Sequence, residues 1–215
     1  LIEVDDGGIY RRTNPRSNTG DWFSIIGNFQ VTEQHDVAYD PISNILISGN
    51  QDTGTQQQNS PGSFEWYSVS TADGGDVAVS VNPLNPTQSV RYSSFQNLGG
   101  FRRSVYDPAN NLISTAFPSL TGFLGDGQFN TPVEINAVDP LRLAIGGAQR
   151  VYESLDQGDN VSVVGSFGVN SFDGDPIAYG GRLLGVNNPD VLYVGSGNRV
   201  YVRTLAGGPL SVSGY

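Results

Sequence analysis

The sequence predicts an all-β protein assembled from a repeat of four short strands. Three observations carry that reading. Gly (28) and Pro (12) are spread along all 215 residues, as many short strands joined by tight turns require. No segment stays apolar at helical spacing for more than about two turns. Four kinds of strand-like segment recur in a fixed order, and internal repetition is the first sign of a repeat architecture.

The first kind is an apolar strand that runs towards an Asx-Pro step. It appears as His35–Pro41, Asp76–Pro83 and Val133–Pro140, and again as Ile177–Gly180, which reaches Asn188-Pro189 after a longer loop. Pro cannot donate to a sheet ladder and Asx-Pro initiates a turn, so the step ends the strand. The second kind follows closely: Ile45–Gly49, Ser89–Ser93, Leu143–Gly147 and Val191–Gly195, with Leu1–Val4 as an earlier copy. The third kind alternates: Gly8–Thr13, Gly100–Ser104, Arg150–Ser154 and Arg199–Arg203. In the second repeat its place is taken by the polar stretch Gln56–Pro61, read as a surface loop. The fourth kind comprises Trp22–Ile26, Glu65–Val69, Leu112–Thr115, Asn160–Val164 and Leu210–Ser213.

The prolines at 41, 83, 140 and 189 are spaced by 42, 57 and 49 residues, with an insertion before residue 133. A four-stranded meander of that length cannot bury both faces alone. Radial stacking solves the problem and leaves only short edges, so the expected fold is a β-propeller of four-stranded antiparallel blades. About five blades are expected, at 1–30, 31–71, 72–120, 121–168 and 169–215, in one domain or a portion of a larger propeller. The first lacks its innermost strand, which implies completion by further residues or another chain.

Composition narrows the partners. The net charge is −10 and all 11 basic residues are Arg. Nucleic acid and anionic membranes need clustered cations and are not expected. Without Cys, thiolate chemistry and disulfides are excluded. No run of 18 apolar residues exists, so no membrane insertion is expected.

Ser154-Leu155-Asp156-Gln157-Gly158-Asp159-Asn160-Val161 resembles the Asp-box, S-x-D-x-G-x-T-W, of BNR/sialidase-type propellers, with Asn160 and Val161 in place of Thr and Trp. Thr13–Trp22 looks like the same turn with an insertion. Gly49–Thr55, Ala72–Val79 and Asn82–Pro86 are similar to segments of bacterial secreted BNR-repeat proteins, relatives of sortilin-like and xyloglucanase-like propellers. The resemblance implies structural roles for Ser154, Asp156 and Gly158, and an extracellular or cell-surface location. Such turns occur in enzymes and non-enzymes alike.

The candidate chemistry is sparse. Sialidase-type chemistry needs three converging Arg, whereas Arg102 and Arg103 are adjacent on one strand and face opposite ways. Glycosidases commonly use two carboxylates. Asp36 and Asp76, each at the start of an innermost strand, are the acids best placed for that. The oxygen-rich turns holding Asp73, Asp76, Asp173 and Asp175 suit a hard cation such as calcium. His35 is the sole His and reads as structural. Trp22, Trp66, Tyr67, Tyr92 and Phe101 could stack on sugars or form inter-blade core. The expected function is a non-catalytic binding or scaffold module for a protein or glycan ligand; the alternative is a fragment of a xyloglucanase-like glycoside hydrolase.

Overall fold

A computed structural model describes residues 1–5, 7–29, 31–171 and 176–212. It is all-β, apart from one 3-10 turn at Gln96–Leu98. Two compact units divide the chain, Leu1–Thr32 and Glu33–Tyr215.

The smaller unit is one antiparallel meander of β1 (Ile2–Asp5), β2 (Gly8–Arg12) and β3 (Trp22–Ser24). Cross-strand partners Arg11 and Phe23, and Arg12 and Trp22, bring each guanidinium over the facing ring, at 4.7 and 5.8 Å from the centroid. Thr13 closes the long β2–β3 turn. Its N–H donates to the Asp21 carbonyl and its hydroxyl oxygen accepts from the Asp21 N–H, both at 3.0 Å.

The larger unit holds four further sheets, each a four-stranded antiparallel meander in chain order. The second sheet is β4 (Gln34–Asp40), β5 (Ile45–Asn50), β6 (Gly54–Gln58) and β7 (Trp66–Ser68). The third is β8 (Gly74–Val81), β9 (Ser89–Phe95), β10 (Gly99–Tyr106) and β11 (Leu112–Ala116). The fourth is β12 (Val133–Ile135), β13 (Leu143–Gly146), β14 (Val151–Ser154) and β15 (Ser162–Gly165). The fifth is β16 (Ile177–Leu183), β17 (Val186–Ser196), β18 (Arg199–Arg203) and β19 (Ser211–Val212).

Successive sheets meet through their first strands: β4 packs on β8, β8 on β12, and β12 on β16. The third sheet uses both faces. Arg102 donates to the Val69 carbonyl of the second sheet's segment, while its neighbour Arg103 donates to the Gln157 carbonyl beyond β14, each at 3.0 Å. Adjacent residues on a strand point to opposite faces, so this pair ties one sheet to two neighbours. Close approach is also built into the backbone. A Cβ on Gly49 in β5 would lie 1.8 Å from the Gly75 carbonyl oxygen of β8.

Two expectations are corrected. The polar stretch Gln56–Pro61 is not a surface loop: its first half belongs to β6, where Gln57 and Gln58 are buried. Burial is tolerable because the amides are satisfied. Gln57 Oε1 accepts from Arg91 at 2.8 Å, and Gln58 Oε1 accepts from the Leu46 N–H at 2.8 Å. Asn188-Pro189 does not end the first strand of its repeat. The chain turns earlier, at Leu184-Gly185, where both residues have positive φ, as a two-residue type I′ hairpin requires. The Asx-Pro step therefore lies inside β17. It keeps its local bond even there, Asn188 Oδ1 accepting from the Asp190 N–H at 3.1 Å.

Candidate functional site

The first strands of the larger unit begin around a common cavity of about 370 Å3. Among the described residues, its lining comes from places far apart in sequence. Gln34 and His35 open β4, Asp76 lies in β8, Pro132 precedes β12, and Pro176 precedes β16. The inserted segment between β11 and β12 supplies Phe129 and Asn130.

That insertion is not loose. The Asn97 N–H donates to the Gln128 carbonyl at 2.9 Å, and the Ala148 N–H to the Asp126 carbonyl at 2.8 Å. Thr121 forms a parallel bridge with Asn160. A long connection fixed at several points and ending in a cavity wall is a common way to build a recognition surface.

His35 is part of the wall. Its Nδ1–H donates to the Gly74 carbonyl at 2.6 Å, and its Nε2 lies 3.0 Å from Gln51 Oε1. Phe129 meets the imidazole edge-on, with centroids 5.7 Å apart. Both ring nitrogens are engaged by the fold, so His35 offers no open nitrogen base to the cavity.

Asp36 and Asp76 share one local task. Asp36 Oδ2 accepts from the Val77 N–H at 3.0 Å, and Asp76 Oδ2 accepts from the Val133 N–H at 2.5 Å. Each carboxylate reaches from one first strand to the backbone of the next. In the fourth and fifth sheets the corresponding positions are Pro132 and Pro176. The alignment follows from the ladders, where Val77, Val133 and Ile177 occupy equivalent places.

Among the calcium candidates, Asp73 Oδ1 accepts from the Asp52 N–H at 2.9 Å, and Asp76 serves Val133. Ca2+ takes about six to eight oxygens. Among the described residues no three His, Cys, Asp or Glu side chains converge as a metal-binding group. Asp173 and Asp175 lie outside the described residues.

Ser154, Asp156 and Gly158 form a closed turn between β14 and β15. Asp156 Oδ1 accepts from Ser154 Oγ and the Asn160 N–H, both at 2.9 Å, and Ser154 Oγ accepts from the Gly158 N–H at 2.8 Å. Gly158 has φ +93°. A second turn of this design was not anticipated. Between β10 and β11, Asp107 Oδ1 accepts from the Asn111 N–H at 2.8 Å and Oδ2 from Asn111 Nδ2 at 2.9 Å. The Asp-to-Asn spacing of four residues, common to both, is the signal that could have revealed it.

The titratable groups most strongly held lie away from the cavity. Burial would raise the Asp40 carboxyl, but hydrogen bonds from Ser89 and Arg91 and the Arg91 charge outweigh it and hold it below its usual range. Arg91 Nη2 lies 2.6 Å from Asp40 Oδ2, with both side chains buried. In the fourth and fifth sheets, burial of Glu153 is likewise outweighed by Arg203 and Tyr179, and its carboxyl is also lowered. Burial and the Glu153 carboxylate push Tyr179 up to about 12. These groups join one sheet to the next. Perturbed titration here belongs to ion pairs rather than to a reaction centre.

The aromatic candidates divide. Tyr92 and Phe101 are buried and stacked, with centroids 5.9 Å apart, whereas Trp22 and Tyr67 are exposed and Trp66 is half-buried. Among the described residues, five of the eleven arginines are in ion pairs with carboxylates and no arginine lines the cavity. Among the described residues no helix is long and apolar enough to cross a membrane. No known protein family and no curated protein matches the chain.

Proposed function

We propose that the chain is a portion of a β-propeller that acts as a non-catalytic binding or scaffold module, with the cavity at the start of its first strands as the ligand site. One observation carries the reading. The two acids best placed for chemistry, Asp36 and Asp76, are each bonded to the backbone of the next sheet, while the cavity is walled by Glu33 and Asp76, the amides of Gln34, Gln51 and Asn130, His35 and Phe129. A concave site that gathers polar groups beside an aromatic side chain suits binding. The stepwise packing of β4, β8, β12 and β16 supports blades arranged about an axis. The Asp-box resemblance supports a place within a larger secreted or surface-attached bacterial protein. A protein or glycan is the ligand class.

The test is a glycan and protein binding screen run beside a polysaccharide turnover assay. The expected result is saturable binding that is weakened by Phe129→Ala, with no turnover. Turnover that disappears in Asp36→Asn or Asp76→Asn would favour the glycoside hydrolase alternative and overturn the reading.

A further inference from the structure

Resting on the propeller part of that reading, we infer that the face of β4 bearing Val37 and Tyr39 is an interface for the leading hairpin of a further sheet, one that brings an aspartate to the Val37 N–H. Three observations converge on Val37.

The first is burial at one place in the repeat. Val37, Val77, Val133 and Ile177 stand at equivalent positions in their ladders, opposite Ser48, Ser93, Ile145 and Val194. The last three are buried, at 4%, 5% and 5% exposure, whereas Val37 is 51% exposed. The preceding sheet is what covers the others. Val77 clusters with Ile45 and Ile47 of β5, and Ile177 with Ala144 and Val151 of the fourth sheet. Ala38 already packs on the Val77 cluster, so its neighbours Val37 and Tyr39 share the opposite face. Tyr39 is exposed there too.

The second is the backbone. The Leu46 N–H donates to Gln58 Oε1 of β6, so it is turned away from its cross-strand partner Tyr39. Bonded and non-bonded pairs alternate along an antiparallel ladder. Tyr39 and Val37 therefore both direct their N–H groups away from β5. At the equivalent place the Val77 N–H donates to Asp36 and the Val133 N–H to Asp76. Among the described residues no carboxylate reaches the Val37 N–H.

The third is continuity. The carboxylate-to-amide bond joins β4 to β8 and then β8 to β12, and Val37 stands one step earlier in the same series. Its N–H calls for an acceptor and its side chain for aliphatic cover. A first-and-second-strand hairpin of the β4–β5 kind supplies both, through Asp36 and through Ile45 and Ile47. The fifth sheet of a second copy does not fit, because Pro176 stands where the acid is needed.

The experiment is an NMR titration of the isotope-labelled full chain with a capped peptide of the sequence Gln34–Asn50, which carries the acid and both isoleucines. The expected result is a saturable shift of the Val37 amide signal and slower exchange of its hydrogen with solvent. The Asp36→Ala peptide should bind about 5-fold or more weakly, because it loses a charge-assisted hydrogen bond. The Ile47→Ala peptide should also bind more weakly, through lost apolar cover. In the protein, Val37→Glu sets a like charge against the incoming aspartate and should abolish binding; at so exposed a position it should leave urea unfolding nearly unchanged. Binding that ignores the aspartate, or that leaves the Val37 amide unmoved, overturns the inference. So does an absence of saturable binding. Protection of the Val37 amide that grows with concentration of the chain alone would make the occupant a second copy and overturns it as well. If a glycan or protein still binds in a Phe129-dependent way, the binding-module reading stands without this interface; polysaccharide turnover lost in Asp36→Asn or Asp76→Asn removes that reading whatever the peptide does.

Discussion

Where the second sheet meets the third, the buried side chains include Asp40, Ser43, Gln57, Ser89 and Arg91. Where the third meets the fourth, they are Tyr92, Phe101, Leu143, Ile145 and Tyr152. The strands, their order and their packing are alike at the two junctions, yet one is joined largely by charge and the other by hydrocarbon. The apolar residues of the first junction form a small cluster of Ile45, Ile47 and Val77. The lesson is that the meander repeat fixes where the sheets meet but leaves open what holds them. Hydrogen bonds and ion pairs demand particular partners, whereas apolar contacts tolerate repacking of similar volume.

The sharpest way to break this comparison is to remove one member from each junction. Arg91→Ala leaves the Asp40 carboxylate buried without its cation and should cost about 3–5 kcal/mol. Ile145→Ala creates a cavity in the apolar cluster and should cost about 2–4 kcal/mol. Urea unfolding measures both. The Asp40→Ala/Arg91→Ala double variant should cost much less than the sum of the single changes, since neither charge is then stranded. Additive costs at the polar junction would erase the distinction.

Acid separates the junctions next. Asp40 and Glu153 have carboxyls held below their usual values in the folded chain. Their contribution is present above the unfolded carboxyl range and is lost as pH falls through the folded values. Stability measured by urea unfolding should therefore decline as pH drops below about 4. Asp40→Asn should flatten that decline, while Ile145→Ala should lower the whole curve without changing its slope. A parallel shift in both variants would show that Asp40 does not carry the acid limb.

The smallest effect belongs to the amide clamp. Asp36→Ala removes the acceptor from the Val77 N–H and should cost about 1–2 kcal/mol. Asp36→Asn retains a carbonyl acceptor and should cost less. Equal losses in a thermal unfolding comparison would mean that the charge of Asp36, rather than its hydrogen bond, supports the junction.

Most of the strand order was legible in the sequence, because alternation and Asx-Pro steps are local signals. Asp40 and Asn82 show why: each Oδ1 accepts from the N–H two residues on, at 2.8 and 3.0 Å, so the turn is written in adjacent residues. β6 was hidden because its burial depends on Arg91 and Leu46, neither of which is near it in sequence. The hairpin at Leu184-Gly185 was hidden because Leu at positive φ gives no compositional sign of a type I′ turn. Asp36 and Asp76 stood out in the sequence as candidate acids at the start of innermost strands, and the amides they accept from lie 41 and 57 residues further along the chain. The cavity was illegible for the same reason, since Gln34, Asp76, Phe129 and Pro176 meet only through the stacking of separate sheets.

The exchange of Asp36 and Asp76 for Pro132 and Pro176 bears on how such a chain could be lengthened or recombined. A duplicate of the third sheet would bring its own carboxylate and could fasten whichever sheet came after it. A duplicate of the fourth would carry a proline at that place and nothing to offer the newcomer's amide. The repeats are thus directional parts, and a chimera that respects strand boundaries alone would join some neighbours less firmly than others.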